Sequence, residues 1–464
     1  MLLLIAGWAL FAFAGAYRWT VVPILAGAGI IAALVRPAAF RAPHRTLDFA
    51  LAFCLSITAL QLAPLPPDLR SALSPSAGDV DRALLFGTGG TAPRPISLDP
   101  QSTIWALAFG AALLLTFWSA RASFARGGGL RLVCRGIAWL GFALAIIMFV
   151  QRAMTPGLIY GFWHPITRAS HPTPLGPFVN RNDIATWLMM AAPLTFGYLV
   201  ARFESQQFSA ETLNDPRTWW LGTAVLFMAA ALMASLSRSG LFGGAAALLV
   251  FTLLARRRLK RTALTGLLVG AGAVVVIGLM FANVTALMER ISATVPSNLG
   301  GRLEVWRETW PMARDFRWAG VGVGAFERAM LVYQQSTRLI FFNHAHNEYL
   351  QVLVEGGVIL AVAAGLAAAA ACVGALARLQ ADRTPVFWIR AGAASAMAAV
   401  AAQNLWDTGL RMPANAVLFA IVAAVALHVP EQTGVPESDP RERRKERQRE
   451  EAVGVAQRRG GALR

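Results

Sequence analysis

The chain is poor in charge and in cysteine. Charged residues fill only 14% of its 464 positions, with 25 Asp and Glu against 42 Lys and Arg. An ordinary soluble domain carries about a quarter charged residues, so a water-facing surface of the usual extent is excluded. Cys54, Cys134 and Cys372 stand far apart, each inside an apolar run. This spacing excludes a disulfide framework and a thiolate metal site, and leaves small packing residues. The polar stretches lack a dense carboxylate cluster such as Asp-x-Asp, which would hold Mg²⁺ beside a phosphate. They also lack a close carboxylate pair of the glycosidase kind. Neither a metal nor a cofactor is expected.

What the chain holds in excess is hydrocarbon: 56% of its residues are hydrophobic and its mean hydropathy is +0.52. These values describe a polytopic membrane protein. A bilayer core about 30 Å thick needs roughly 20 apolar residues per helical crossing. Windows of that kind fall at 2–17, 19–35, 47–65, 103–121, 132–151, 183–202, 218–236, 239–255, 263–282, 351–378, 387–407 and 413–429. The expected fold is an all-α integral membrane protein with about twelve transmembrane helices, occupying residues 1–429. The first two windows are short enough to pair as a hairpin. The opening stretch has no basic n-region and no small-residue cleavage site, which points to a retained helix.

Loop arginines set the orientation. With a cytoplasmic N-terminus, the inner loops hold Arg36, Arg41 and Arg45, then Arg121, Arg126 and Arg131, then Arg256, Arg257, Arg258, Lys260 and Arg261, then Arg378, Arg383 and Arg390. One inner loop, 203–217, departs from the pattern, with Glu204, Glu211 and Asp215 against Arg217. The formal charge of +17 is therefore a topology and headgroup signal and not a nucleic-acid patch. From Pro430 onward, "RERRKERQREE" and its flanks are charged and short of apolar residues, which predicts a disordered cytoplasmic tail over 430–464.

This orientation gathers the unusual polar motifs on the outer face, where 66–102, 152–182, 283–350 and 408–412 form the outer segments. In "GRLEVWRETWPMARDF", Leu303, Trp306, Trp310 and Ala313 recur at helical spacing and predict an amphipathic helix on the membrane surface, ended or kinked by Pro311. Arg181 in "NRND", Arg238 in "SRSG" and Arg302 in "GRLEVW" come from separate parts of the chain. Guanidinium groups stay protonated and offer a planar fork to phosphate oxygens. His344 and His346 in "HAHNE" add an imidazole able to accept a proton near neutral pH. Anion clamps beside a base suit group transfer from a phosphorylated lipid.

Plainer readings exist for each motif. Arg238 could be an interfacial arginine snorkelling from a helix end, and Arg302 with Arg307 the wet face of an amphipathic helix. In "HAHNE", Asn343 or Asn347 could cap the following helix, which would still aim that helix's positive end at the same anion. His164 and His171 lie in a proline-rich loop without partner signature.

The motifs "GPFVNRNDIATWLMMAAPL", "SLSRSG", "GRLEVWRETW…GVGVGAF" and "HAHNEYLQVLVEGGVIL" together resemble the O-antigen ligase and O-antigen polymerase superfamily of bacterial membrane glycosyltransferases, over about residues 175–412. The resemblance implies a helical membrane fold of the GT-C type, with a large periplasmic loop between late helices at about 283–350. It implies a multi-pass protein of the bacterial inner membrane, with both termini cytoplasmic and the active site periplasmic. The glycan donor would be undecaprenyl diphosphate, and the acceptor a hydroxyl of lipid A core or of a growing polysaccharide. By motif match His346 is the base candidate, with His344 as neighbour or substitute. Arg238, Arg302 and Arg181, the last between Asn180 and Asn182, would hold the diphosphate, with Asn347 in the same "HN-x-x-L" motif. Glu348 and Asp407 would orient groups or contact the acceptor. The segment "APLPPDLRSALSPSAGDVDRALLFG", residues 63–87, has the position of part of an acceptor lid.

Two other classes fit a helical bundle of this size. A lipid-linked glycan transporter would place charged or broken helices at mid-membrane and show repeat symmetry, but the polar motifs sit at one edge and no internal repeat is evident. A non-catalytic member of an export complex would make the arginines structural.

Overall fold

The computed structural model describes residues 1–84, 92–125, 128–165, 174–206, 214–259, 298–336 and 341–430, with isolated positions between 206 and 274. Its elements are α1 (Leu2–Phe11), α2 (Arg18–Val35), α3 (Arg45–Leu60), α4 (Pro67–Leu73), α5 (Ala77–Ala83), α6 (Pro100–Ala125), α7 (Gly129–Met154), α8 (Arg181–Ser205), α9 (Pro216–Ala234), α10 (Arg238–Ala255), α11 (Asn298–Asp315), α12 (Phe326–Tyr333), α13 (Glu348–Ala381), α14 (Val386–Gln403) and α15 (Pro413–Leu427). Among the described residues the only β pairing is isolated bridges such as Leu65 with Arg94.

Eight of these helices, α2, α6 to α10, α13 and α14, are long and apolar enough to cross a membrane. Helices α1 and α15 are apolar but shorter, and α3 has 16 residues. The expected dozen thus becomes eight full-length spans among the described residues. The window 263–282 and the tail beyond Pro430 lie largely outside them.

Helix α8 is the axle of the bundle. Its apolar window is 78% buried, against 22% for α13, which faces outward. Small residues let α14 press against it. A Cβ on Gly197 would lie 2.2 Å from the Trp388 carbonyl oxygen, and one on Gly392 would lie 2.3 Å from that of Pro193. Close backbone approach of this kind is how spans associate where lipid removes the hydrophobic drive.

Several buried charges are paired. Asp48 on α3 takes two hydrogen bonds from Arg121 on α6, at 3.0 and 2.7 Å, and a third from the Trp118 indole at 2.9 Å. Arg390 donates to Asp382 at 2.9 Å and is buried, and Arg258 reaches Glu204 at 3.3 Å. Arg121, Arg258 and Arg390 are therefore not free loop charges, although the loop reading counted them so. The acidic loop 203–217 also gains a reason: Glu204 and Asp215 neutralise Arg258 and Arg202.

Outside the bundle a second core joins Ala77 and Val80 of α5, Leu98, Met312 and Phe316 beside α11, Phe326 and Met330 of α12, and Val354 of α13. The described residues 66–84, 92–102 and 298–336 thus share one core and form a cap. Helix α11 corrects two expectations. It runs through Pro311 to Asp315, because the carbonyl that proline strands belongs to Arg307 on the exposed face, where water can serve it. Its buried face is Val305, Thr309, Met312 and Ala313, whereas Leu303 and Trp310 are exposed.

Helix α13 breaks at Gly357, where φ is 64° and ψ is −172°. The break is fully served by the strand-like segment 317–322. Val358 N–H donates to the Arg317 carbonyl at 2.7 Å, and the carbonyls of Val354 and Glu355 accept from Val321 and Gly322 at 2.9 and 3.0 Å. The Gln61 amide adds bonds to the Ala319 and Glu355 carbonyls at 2.7 and 2.8 Å. A Cβ at Gly357 would lie 2.2 Å from the Trp318 oxygen. Gly357→Ala is expected to cost about 3 kcal/mol through backbone strain and overpacking. A lowered melting temperature in detergent would show this; an unchanged one would mean that the break does not depend on this residue.

Candidate functional site

Four helix ends meet at one end of the bundle: the N-termini of α8, α10 and α13, and the C-terminus of α14. Each start has a side-chain cap. Asn180 Oδ1 accepts from Asn182 N–H at 2.9 Å, Ser237 Oγ from Gly240 N–H at 3.1 Å, and Asn347 Oδ1 from Leu350 N–H at 3.0 Å. The caps are also cross-linked. Ser237 donates to Asn182 Oδ1 at 2.7 Å, Thr186 donates to Gln403 Oε1 at 2.7 Å, and Glu348 N–H donates to the Asn404 carbonyl at 2.9 Å. Three positive helix ends therefore gather at one end of the bundle, an arrangement that favours negative charge there.

Asp407 is its hub. Oδ1 accepts from Thr408 N–H at 2.9 Å and Oδ2 from the Ser239 hydroxyl at 3.3 Å. Arg302 Nη2 lies 3.9 Å from Oδ2 and His346 Nδ1 lies 3.8 Å from Oδ1, ion-pair distances too long for hydrogen bonds. The carboxylate is 3% exposed, the imidazole 37% and the guanidinium 28%, so a buried anion carries two cationic or basic groups on its open side. Burial alone would raise the Asp407 carboxyl, but His346, the Thr408 N–H and Arg302 hold it below the usual range. Burial lowers Arg302, Asp407 opposes that, and the charge of Arg238 lowers it further. Arg238, the first residue of α10, is thus within electrostatic reach of Arg302.

The two histidines differ. Nδ1 of each is enclosed without a hydrogen-bond partner, but at His344 burial, then the charges of Arg411 and His346, push the pKa down to about 3. Burial thus favours its neutral form. His346 is half-exposed and its backbone is left-handed, with φ at 50°, a conformation that non-glycine residues hold only where surroundings impose it. The clamp is on Ala345 between them. Its N–H donates to Gln351 Oε1 at 2.6 Å and its carbonyl accepts from the Trp306 indole at 2.9 Å.

Not every expected residue joins the cluster. Arg181 is exposed on the first turn of α8, and among the described residues no hydrogen bond or ion pair ties it to Asp407 or its neighbours. Asn180 is an exposed cap. Glu348 is not free for an acceptor, because Arg411 holds both its oxygens at 3.1 and 3.3 Å. Arg411 also grips Glu355 at 3.1 and 2.9 Å, and Glu355 accepts from Gln351 at 2.9 Å. The motif reading did not use Arg411, Glu355 or Gln351. An ionisable residue inside the apolar window 351–378 was the available signal. Trp306 stacks on Trp406 with ring centroids 6.0 Å apart, bringing α11 against the turn that carries Asp407. Among the described residues, no three His, Cys, Asp or Glu are grouped to hold a metal ion.

Residues 223–365 match the family model described as O-antigen ligase. Over this stretch the chain is similar to O-antigen ligases. No curated protein matches the chain. The matched stretch runs from α9 into α13 and contains Arg238, Arg302, His344 and His346. Asp407, Arg411 and the α8 cap lie outside it, so α8 and the turn after α14 add to the polar cluster from either side.

Proposed function

We propose that the protein is a glycosyltransferase of the bacterial inner membrane that moves a glycan from undecaprenyl diphosphate to an acceptor hydroxyl of lipid A core, with its polar cluster in the periplasm and both termini in the cytoplasm. One observation carries the reading: Asp407 joins Arg302, His346 and Ser239 at a mouth formed by three helix N-termini.

The chemistry follows from this arrangement. The anomeric carbon loses its bond to the phosphate oxygen and gains one to the acceptor oxygen. The diphosphate departs with the electron pair, and Arg238, Arg302 and the helix ends take its charge. His346 Nδ1 faces Asp407, which leaves Nε2 to receive the hydroxyl proton. Asp407 holds the ring and stabilises the imidazolium that forms. The 3.8 Å separation is typical of an unliganded base that tightens on its orienting group when substrate binds. A diphosphate is already an activated leaving group, so positioning and charge neutralisation supply most of the acceleration. The shared core of residues 66–84 with 298–336 supports reading this part of the chain as an acceptor lid.

A deletion strain tests the assignment by lipopolysaccharide gel and exopolysaccharide assay. Bare core with full-length polymer on the lipid carrier identifies a ligase, and single repeat units identify a polymerase. Unaltered glycans in both assays would reject glycan transfer.

A further inference from the structure

A second polar site lies at the opposite end of α8. Arg202 stands 21 residues beyond Arg181 along this helix, about 32 Å at the helical rise, so a hydrocarbon core's thickness separates it from the Asp407 cluster. There a cavity of about 540 Å³ opens between α7, α8 and α9, lined by Arg131, Arg135, Trp139, Arg202, Arg217 and Trp220 among others. Arg131, Arg135 and Trp139 follow at i, i+4 and i+8 and so share one face of α7.

Among the described residues the positive charge there exceeds the negative charge that faces it. Arg202 is paired with Asp215. Among the described residues no carboxylate lies within ion-pair distance of Arg131 or Arg135, and both are exposed. Arg217 is exposed too, on the first turn of α9, where its N–H donates to Asp215 Oδ1 at 2.8 Å. The neighbours are those of a lipid interface. Trp139 and Trp220 stack with centroids 4.1 Å apart, Trp139 is 56% and Trp219 68% exposed, and the Trp220 Nε1–H is buried without an acceptor. Indole rings at this level mark the boundary of hydrocarbon and headgroup.

We infer that this cavity binds the phosphate-bearing headgroup of an anionic phospholipid, in the leaflet opposite the Asp407 cluster. Paired guanidinium groups fit a phosphodiester, and basic pockets between spans are a recurrent way of holding acidic lipids. The stacked indoles would lie along the glycerol and upper acyl chains. The site shares no residue with the proposed transfer reaction and does not depend on it.

The test is lipid retention in native mass spectrometry, after reconstitution of the full chain in phosphatidylcholine vesicles with and without phosphatidylglycerol. Wild type is expected to retain phosphatidylglycerol selectively. R131Q/R135Q should lower that selectivity about 30-fold, since each interfacial arginine favours anionic lipid about five-fold. R256Q/R257Q removes the same charge from exposed positions outside the cavity and should leave retention unchanged. Equal losses in the two double variants would reduce the effect to general surface charge and overturn the site. Inorganic phosphate forms the last arm: thermal stabilisation by phosphate alone, equal to that by phosphatidylglycerol, would assign the cavity to a free anion and overturn the lipid.

Discussion

His346→Ala is expected to lower glycan transfer about 10²–10⁴-fold, the usual contribution of a positioned base, while the protein still inserts and folds. The side chain is half-exposed, makes no hydrogen bond through Nδ1, and supports no packing core, so its loss should leave melting almost unchanged. The effect should fall on kcat, because the imidazole acts on a proton in flight and not on the bound glycan. Asp407→Asn gives the graded comparison. The amide oxygen can still accept from Thr408 N–H, but the negative charge that faces Arg302 and His346 is gone. The variant should lie between wild type and His346→Ala. The assay is transfer from a lipid-diphosphate-linked glycan in proteoliposomes, with unfolding followed in parallel. Near-normal turnover by His346→Ala would remove the imidazole from the reaction and leave Asn180 and Asn347 as helix caps, with Asn182 as acceptor of the Ser237 hydroxyl.

The largest stability effect is expected at Arg411. Its guanidinium bridges Glu348 and Glu355, and the Glu355 side chain is 2% exposed. Removing one partner of a buried ion network leaves the other charges unpaired, at a cost of about 3–5 kcal/mol. Arg411→Leu should therefore melt far below wild type in detergent, and lose transfer as well, because Glu348 and its neighbours anchor the turn that presents Asp407. The combined R411L/E348Q/E355L replacement removes the stranded charges and should regain much of the loss, as apolar replacement of buried ion pairs often does. If Arg411→Leu melts within about 1 kcal/mol of wild type, the value for an exposed pair, the network is not enclosed as the structure shows it.

These two sites differ in how readable they were. His346, Arg238 and Arg302 stand in short motifs whose residue types point to anion binding and proton transfer wherever they occur. Asp407 was visible only as a lone carboxylate in an outer turn, and nothing local marks it as the hub, because its partners lie 61, 105 and 168 positions earlier in the chain, at His346, Arg302 and Ser239. Arg411 and Glu355 were overlooked for the same reason. Arg181 shows the converse: a phosphate-binding type in a promising motif, at a helix start that turns it outward.

Local chemistry was enough for the membrane class, for the windows that become the eight long apolar helices, and for the cap at Asn347. Each depends on the transfer of one stretch of chain into hydrocarbon, or on one side chain meeting backbone groups a few residues away. Span count, the break of α13 at Gly357, the pairing of Arg121 with Asp48, and the meeting of Arg302, His346 and Ser239 on Asp407 were settled only by how helices cross. A desolvated charge is tolerated only beside its partner, and which partner arrives depends on contacts between segments far apart in sequence.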